Sequence, residues 1–177
     1  GIRILIVPRA NATEAAIVPG IAVFAADTLD QVVSVIESPT QFEPVVVDRE
    51  ALFGAACISD VDFREVRGQE HAKRAAEIAV AGGHNILLVG PPGSGKTMLA
   101  RRIASIMPAM TLDECIESTR IHSIRGMLGA AQPLVASRPF RSPHHTISDA
   151  GLIGGGTSIE PGEVSLSHNG VLFLDEF

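Results

Sequence analysis

Hydrophobic positions along this chain form short continuous runs separated by glycine and proline, a pattern typical of buried parallel strands joined by helices. The runs Ile2–Val7 and Ile21–Ala25 predict two strands. Thr28 and Gln31 form a capping box that opens a predicted helix, which ends before Pro39. One face of this helix carries four apolar side chains, namely Leu29, Val32, Val33 and Ile36. Strands alternating with helices predict an α/β fold.

More elements are predicted in the middle of the chain. The alanine-rich residues Gln69–Ala81 predict a helix. The apolar run Ile86–Val89 predicts a buried strand, which leads through a glycine-rich turn into a helix over Thr97–Met107. A second capping box, Thr111–Glu114, opens a helix that is expected to end near Arg120.

The stretch Ile121–Asn169 is rich in Gly, Pro, Ser and His and shows no sustained hydrophobic period. Loops of that length without structure of their own are uncommon and tend to be functional. Arg138 and Arg141 either line a channel for polyanions, pair with carboxylates of a neighbouring subunit, or are ordinary surface arginines. His144 and His145 have no third ligand at a recognisable spacing, so a zinc site is not predicted.

The turn after the predicted strand Ile86–Val89 reads Gly-Pro-Pro-Gly-Ser-Gly-Lys-Thr and fills the pattern G-x-x-x-x-G-K-[ST]. Its glycines let backbone N–H groups approach phosphate oxygens. Lys96 can reach the β- and γ-phosphates, and the Thr97 hydroxyl can ligate Mg²⁺. An ordinary tight strand-to-helix turn is the alternative, but the complete pattern favours ATP binding. The predicted nucleotide-binding residues are Gly90, Pro91, Pro92, Gly93, Ser94, Gly95, Lys96, Thr97 and Met98.

A second chemical feature lies at the other end of the chain. The apolar run Val171–Leu174 predicts a buried strand, and Asp175 and Glu176 follow it directly. Carboxylates at this end of a parallel strand sit where open α/β sheets bind ligands. We expect Asp175 to hold Mg²⁺ through water and Glu176 to act as the general base toward the attacking water. A strand that simply meets solvent is the alternative.

Composition adds limits to these expectations. The formal charge of −6 gives no global reason to expect nucleic acid, although a local basic face is compatible with it. Cys57 and Cys115 are isolated, which favours structural thiols in a reducing compartment. No apolar run is long enough to span a bilayer and no signal peptide is visible, so no membrane partner and a cytoplasmic location are expected. Because the chain starts at Gly1 and stops at Phe177, both ends are expected to be cut.

From residue 62 onward the chain resembles the magnesium-chelatase-like branch of the AAA+ ATPases, and within it the ComM/YifB-type competence proteins. The resemblance rests on four strings: V-R-G-Q-E-H-A-K-R-A from Val66, A-G-G-H-N-I-L-L-V-G-P-P-G-S-G-K-T-M-L-A-R-R from Ala81, R-P-F-R-S-P-H-H-T-I-S-D-A from Arg138, and P-G-E-V-S-L-S-H-N-G-V-L-F-L-D-E from Pro161. It implies a P-loop NTPase with a parallel sheet, truncated after the Walker B strand that carries Asp175.

The same resemblance implies a domain organisation. Residues 62–177 would form an incomplete ATPase domain, and residues 39–61 a linker. Residues 1–38, with I-V-P-R-A-N-A-T-E-A from Ile6, resemble the end of the small α/β Lon-protease-like domain that precedes the ATPase in that family. The Ser and Lys positions of true Lon proteases would lie upstream of Gly1, and the competence branch is thought to lack that activity.

The resemblance also implies a function, which is an ATP-driven homo-hexamer with ATP and Mg²⁺ bound between subunits. In the competence branch this motor acts on DNA as a helicase in branch migration, during natural transformation or recombination. A chelatase-type motor subunit that acts on a protein partner, or an ATP-dependent Lon-like protease, are the alternatives. The Lon-like segment favours the DNA motor over the chelatase subunit. Val66 to Gln69 would lie near the adenine, and Gly151–Glu160 would project toward the ring pore.

One departure from the family concerns elements that follow the Asp-Glu strand. The sensor-1 strand, the arginine finger and the sensor-2 helix would all come after Phe177. The sensor-1 strand would lie between the phosphate-loop strand and the Asp-Glu strand, so its absence would leave two strands facing a gap with unpaired backbone groups. The 177-residue chain alone is therefore expected to be poorly stable and to hydrolyse ATP slowly or not at all.

Overall fold

The computed structural model describes residues 1–49, 51, 61–129, 133–156 and 159–175. The chain divides into two compact units. The first contains residues 1–56 and 128–134, and the second contains residues 57–127 and 135–177. In the described residues, no helix is both long enough and apolar enough to cross a membrane.

The first unit is built on two parallel strands, β1 (Ile4–Pro8) and β2 (Ala22–Ala26), which pair in register from Ile4 opposite Ala22. Helix α1 (Arg9–Ala16) connects them, as parallel strands require a crossover. Both predicted strands are confirmed within two residues.

Helix α2 (Leu29–Glu37) follows β2 and begins at Thr28, whose hydroxyl accepts the Gln31 backbone N–H. The predicted helix and its N-cap are therefore confirmed. Its apolar residues do not all face inward, because Val35 is buried whereas three members of the predicted apolar face are exposed, namely Leu29, Val33 and Ile36.

The second unit contains three longer helices that the sequence predicted. These are α3 (Glu70–Gly82), α4 (Lys96–Ile103) and α5 (Leu112–Ile124). Helix α3 lies one residue from its predicted bounds, and it is followed by the C-cap residue Gly83, whose φ of 62° suits glycine. Helix α5 starts with both halves of the predicted capping box in place, and it runs four residues beyond its expected end. A 3₁₀ turn over Ala104–Ile106 completes α4.

The core of the second unit lies between α3 and α4. Its buried members come from these helices and from the turn before α3: Phe63, Val66, Ala76, Leu99 and Ile103. Val171 and the even-numbered residues Ile86 and Leu88 pack against this group and are partly buried. The hydrophobic core thus touches the segments on both sides of the glycine-rich turn.

The stretch Ile121–Asn169, expected to be irregular, holds several short elements. In chain order they are β3 (Phe140–Arg141), α6 (Asp149–Ile153), β4 (Gly154–Gly155), β5 (Glu160–Pro161) and α7 (Glu163–Leu166). Strands β4 and β5 form an antiparallel pair. None exceeds five residues, so hydrophobic periodicity had too few positions in which to appear.

The last strand, β6 (Val171–Leu172), pairs in parallel with β3, so that Phe140 lies opposite Val171. It is two residues shorter than the predicted run. The two backbones come close together where the strands begin, and there the Val171 N–H donates to the Pro139 carbonyl at 2.8 Å. A Cβ at Gly170 would collide with the Pro139 backbone, which makes glycine necessary at that position.

The predicted strand Ile86–Val89 is not a strand within the described residues. Its side chains nevertheless alternate, since Ile86 and Leu88 are partly buried whereas Leu87 and Val89 are 87% and 88% exposed. This period of two is that of an extended chain. The prediction of strand pairing for this segment is therefore wrong, because pairing needs a neighbouring chain segment. The alternation of its side chains still fits the extended conformation.

Candidate nucleotide site

The glycine-rich turn takes a backbone shape that only glycine adopts easily. Gly93 and Gly95 have φ values of 76° and 86°, and the Ser94 N–H between them donates to the Pro91 carbonyl at 3.2 Å. A Cβ at Gly90 would lie 2.9 Å from the Ser94 hydroxyl. Alternating backbone conformations of this kind form a concave surface of N–H groups that binds anions.

Pro91 and Pro92 carry no backbone N–H and can contribute only shape to this surface. The donors for a bound phosphate must therefore come from the residues after them. Helix α4 begins immediately, with the Leu99 N–H bound to the Gly95 carbonyl at 2.9 Å. Its positive N-terminal end is consequently directed at the same place as the loop donors.

The Lys96 side chain folds back over the glycine-rich turn. Its ammonium donates to the carbonyl oxygens of Gly90 at 2.9 Å and Pro91 at 3.2 Å. Within the described ranges no carboxylate forms an ion pair with it. Its charge is thus available to an anion that enters the turn.

Thr97 and Asp175 are brought together from distant positions in the sequence of the second unit. The Thr97 hydroxyl donates to the Asp175 carboxylate at 3.4 Å, although 78 positions separate them in the chain. Two oxygens that are neighbouring ligands of one octahedral Mg²⁺ lie about 3 Å apart. The residues present therefore fit Mg²⁺, held directly or with an intervening water. Glu176 lies outside the described residues.

Lys96, Thr97 and Asp175 border a cavity of about 1220 Å³. The glycine-rich turn, including Met98, forms one side, residues 84–88 and 170–175 form a second, and residues of α3 and α4 complete the lining. The volume exceeds the 300 to 1,000 Å³ typical of small-molecule sites. It does so because the phosphate loop opens into a groove between the unpaired extended segment and β6.

The segment from Val66 to Gln69, expected near the adenine, contributes in two different ways. Val66 is 2% exposed, and its side chain belongs to the core. Its carbonyl accepts the Lys73 ammonium at 3.4 Å and its N–H donates to the Phe63 carbonyl at 3.1 Å, so both of its backbone polar groups already have partners. Gln69 instead reaches the phosphate loop, where its Nε2 donates to the Ser94 carbonyl at 3.0 Å.

The two arginines whose roles were open both bind groups of their own chain. Arg141 forms a two-pronged ion pair with Glu163, at 2.5 and 2.6 Å. Hydrogen bonds from Arg141 lower the pKa of Glu163 and raise that of Arg141 itself. This pair joins β3 to α7.

Arg138 is the more deeply enclosed of the two, with a side chain 12% exposed. It contacts both carboxylate oxygens of Glu114 at 3.2 and 3.3 Å. Its remaining donors bind three carbonyl oxygens, those of Pro108, Ala109 and Asn169. The Thr111 N–H and then Arg138 lower the pKa of Glu114. Arg138 therefore acts as an internal clamp.

The turn that Arg138 holds leads directly into β6, after which the chain reaches Asp175. Asn169 has a left-handed φ of 59°, and its amide donates to the Glu114 carbonyl at 3.3 Å. The Ser118 hydroxyl donates to the His168 carbonyl at 3.2 Å. Hydrogen bonds from His168 and Asn169 lower the pKa of Glu117. Sequence reasoning missed this network, although four small or polar residues before an apolar run were its visible trace.

His144 and His145 lie with their ring centroids 4.2 Å apart. The His144 Nδ1 is 2.8 Å from the Thr146 hydroxyl. Across the described ranges no three His, Cys, Asp or Glu side chains form a group that could hold a metal ion.

The chain matches known proteins along most of its length. A family model described as magnesium chelatase, subunit ChlI, matches residues 62–177. The chain is 44% identical over 175 residues to the protein YifB of Salmonella typhimurium, covering 98% of this chain and 33% of the relative. It is 43% identical over 177 residues to YifB of Escherichia coli, with the same coverage. It is 42% identical over 177 residues to the competence protein ComM of Haemophilus influenzae, covering 98% and 34%. The chain thus spans about a third of the length of these curated relatives.

Proposed function

The chain belongs to the family of the magnesium chelatase subunit ChlI, and from that premise we propose that it binds ATP with Mg²⁺ and hydrolyses it. The observation that carries the proposal is the meeting of Thr97 and Asp175 beside the glycine-rich turn. Two remote segments supply a hydroxyl and a carboxylate at the place where the turn and Lys96 would hold a triphosphate.

The proposed mechanism assigns one task to each group. Backbone N–H groups of residues 93–97 bind the phosphates, and Lys96 neutralises charge on the β- and γ-phosphates as the transition state forms. Thr97 and Asp175 would hold Mg²⁺, and the ion would supply positive charge that offsets the charge of the phosphates. Glu176 accepts a proton from the attacking water. It also orients the oxygen of that water in line with the bond to the γ-phosphate that breaks.

Glu176→Gln tests this assignment in the full-length protein. The amide keeps the size of the side chain but cannot accept the proton, so we expect ATP to bind normally while kcat falls at least about a hundredfold. Steady-state ATPase assays and equilibrium binding of a fluorescent ATP analogue measure the two effects. Glu43→Gln, at an exposed position of the first unit, is the matched control. Normal turnover by Glu176→Gln would show that the base is another group.

We propose further that the ATPase forms a homo-hexamer that moves along DNA. The support is the likeness to the competence protein ComM over 98% of the chain, together with the resemblance of the ATPase segment to ring-forming motors. The chelatase-type motor, which would act on a protein partner, is the alternative within the same family. Both functions use the same ATP site, so the assignment of that site does not depend on the choice between them.

Stimulation of ATP hydrolysis by DNA distinguishes these two possibilities. We expect branched or single-stranded DNA to raise the ATPase rate of the full-length protein several-fold at low salt, with the effect fading at higher salt because phosphate contacts release counterions. Rates are measured at two salt concentrations, with and without DNA. The Glu176→Gln variant controls for contaminating ATPases. An ATPase rate that no DNA changes would favour a protein partner and the chelatase-type motor.

A further inference from the structure

Gln69 has an uncommon backbone conformation. Its φ of 57° and ψ of 39° lie in the left-handed region, directly after Gly68 at a φ of 67°. Side chains are disfavoured there because the Cβ approaches the following carbonyl oxygen, whereas glycine adopts the conformation freely. Strained positions persist where the surroundings hold them, and they cluster at functional sites. The contacts of the Gln69 side chain show what holds it.

The Gln69 side chain ends at the middle of the glycine-rich turn. Its Nε2 donates to the Ser94 carbonyl at 3.0 Å, across 25 positions of sequence. The same nitrogen lies against Gly95, where an added Cβ would be 3.3 Å away. The backbone of Gln69 is anchored as well, because its carbonyl accepts the Lys73 N–H at 2.9 Å in the first turn of α3. A rigid helix thus presents one amide donor to one peptide group of the loop.

That peptide group joins Ser94 to Gly95, and it contains both the Ser94 carbonyl and the Gly95 N–H. In a trans peptide these two groups point in nearly opposite directions. A donor that holds the carbonyl on the α3 side therefore directs the N–H to the other side, into the turn. Gly95 permits rotation of this peptide, and a rotated peptide would present a carbonyl oxygen to an incoming phosphate.

We propose that Gln69 is a positioning residue for the phosphate loop. Its hydrogen bond to the Ser94 carbonyl keeps the Gly95 N–H directed at the bound phosphate. It therefore acts on the polyphosphate and not on the base. The inference rests on the proposed function, since it assumes that the turn binds a nucleoside triphosphate. It replaces the expectation that Gln69 serves the adenine with a role that is independent of the base.

Two substitutions separate the side-chain contact from the backbone conformation. Gln69→Gly removes the amide and adopts a φ of 57° freely, and Gln69→Asn keeps an amide that is too short to reach while tolerating the same φ. Competition binding in the full-length protein uses two probes with Mg²⁺, ATP and inorganic tripolyphosphate. We expect both variants to bind both probes about fivefold more weakly, the ratio expected for one neutral hydrogen bond. The Tm of ligand-free Gln69→Gly is expected to stay within about 2 °C of the Tm of the unsubstituted protein, because a small change in stability shifts Tm by only a few degrees. Gln41→Ala, at an exposed position, is the control.

Equal losses with the two probes would support the inference. A loss confined to ATP would show that Gln69 contacts the base and would overturn it. Unchanged affinities in both variants would overturn it too, as would failure of tripolyphosphate to compete at millimolar concentration while ATP binds. If the unsubstituted protein binds neither probe, the proposed function itself fails and the inference fails with it.

Discussion

Lys96→Ala is expected to lower the affinity of the full-length protein for Mg-ATP by about 10²- to 10⁴-fold. The ammonium would make hydrogen bonds with two phosphate groups, and each charge-assisted bond contributes about 1.5–3 kcal/mol. In the structure its donors rest on the neutral carbonyls of Gly90 and Pro91, which exchange readily for charged oxygens. Equilibrium titration with a fluorescent ATP analogue measures the change.

The control for this substitution is Arg101→Ala, which removes an exposed positive charge from the same helix. It should change the affinity by less than about twofold, because an exposed charge is screened by solvent. If both variants lost affinity equally, the effect would come from the general charge of the helix and not from a specific contact. An affinity of Lys96→Ala close to that of the unsubstituted protein would contradict the nucleotide assignment of the turn.

Features that depend on neighbouring residues in sequence were predictable. The capping box at Thr111 and the N-cap at Thr28 formed as expected, because each uses a hydroxyl and an N–H three residues apart. The left-handed glycines Gly93 and Gly95 follow in the same way from the pattern of the turn. The mixed α/β architecture with parallel strands was also foreseeable from the apolar runs.

Features that depend on remote partners were not predictable. The run Ile86–Val89 has the composition of a buried strand, but strand pairing requires a neighbour, and in the described residues it borders a cavity instead. The Gln69 amide meets Ser94 across 25 positions, and no periodicity or motif encodes that contact. The meeting of Thr97 and Asp175 across 78 positions is the exception, because both motifs had assigned these residues to the same Mg²⁺. Only the resemblance placed Gln69 near the nucleotide, and it did not indicate the contact with the loop.

Arg138 is a residue whose partners are remote in sequence, and it acts on the nucleotide site through them. It lies 31 positions before Asn169, whose carbonyl it binds at 2.9 Å, and Asn169 stands just before β6, after which the chain reaches Asp175. Three carbonyls and one carboxylate converge on this guanidinium, which supplies the planar fork that such a set requires. The sequence left open whether Arg138 lines a channel, pairs with a neighbouring subunit or is an ordinary surface arginine, and in the structure its side chain is enclosed within its own unit.

Arg138→Met is expected to lower the free energy of unfolding of the second unit by about 3 kcal/mol. Methionine fills part of the volume but leaves the Pro108, Ala109 and Asn169 carbonyls without their donor. Arg138→Lys keeps the charge without the fork and should recover only part of the loss. Scanning calorimetry of the full-length protein measures the change in the transition that Mg-ATP raises, since ligand binding identifies the unit that holds the site.

The exposed Arg64, with a side chain 92% accessible, provides the control Arg64→Met, for which less than about 0.5 kcal/mol is expected. Because Arg138 holds the turn before β6, its loss should also loosen the Asp175 carboxylate. Arg138→Met is therefore expected to raise the Mg²⁺ concentration needed for half-maximal ATPase, measured well below its Tm. Lower stability with an unchanged Mg²⁺ requirement would confine Arg138 to stability, and unfolding equal to that of Arg64→Met would show that the clamp contributes nothing.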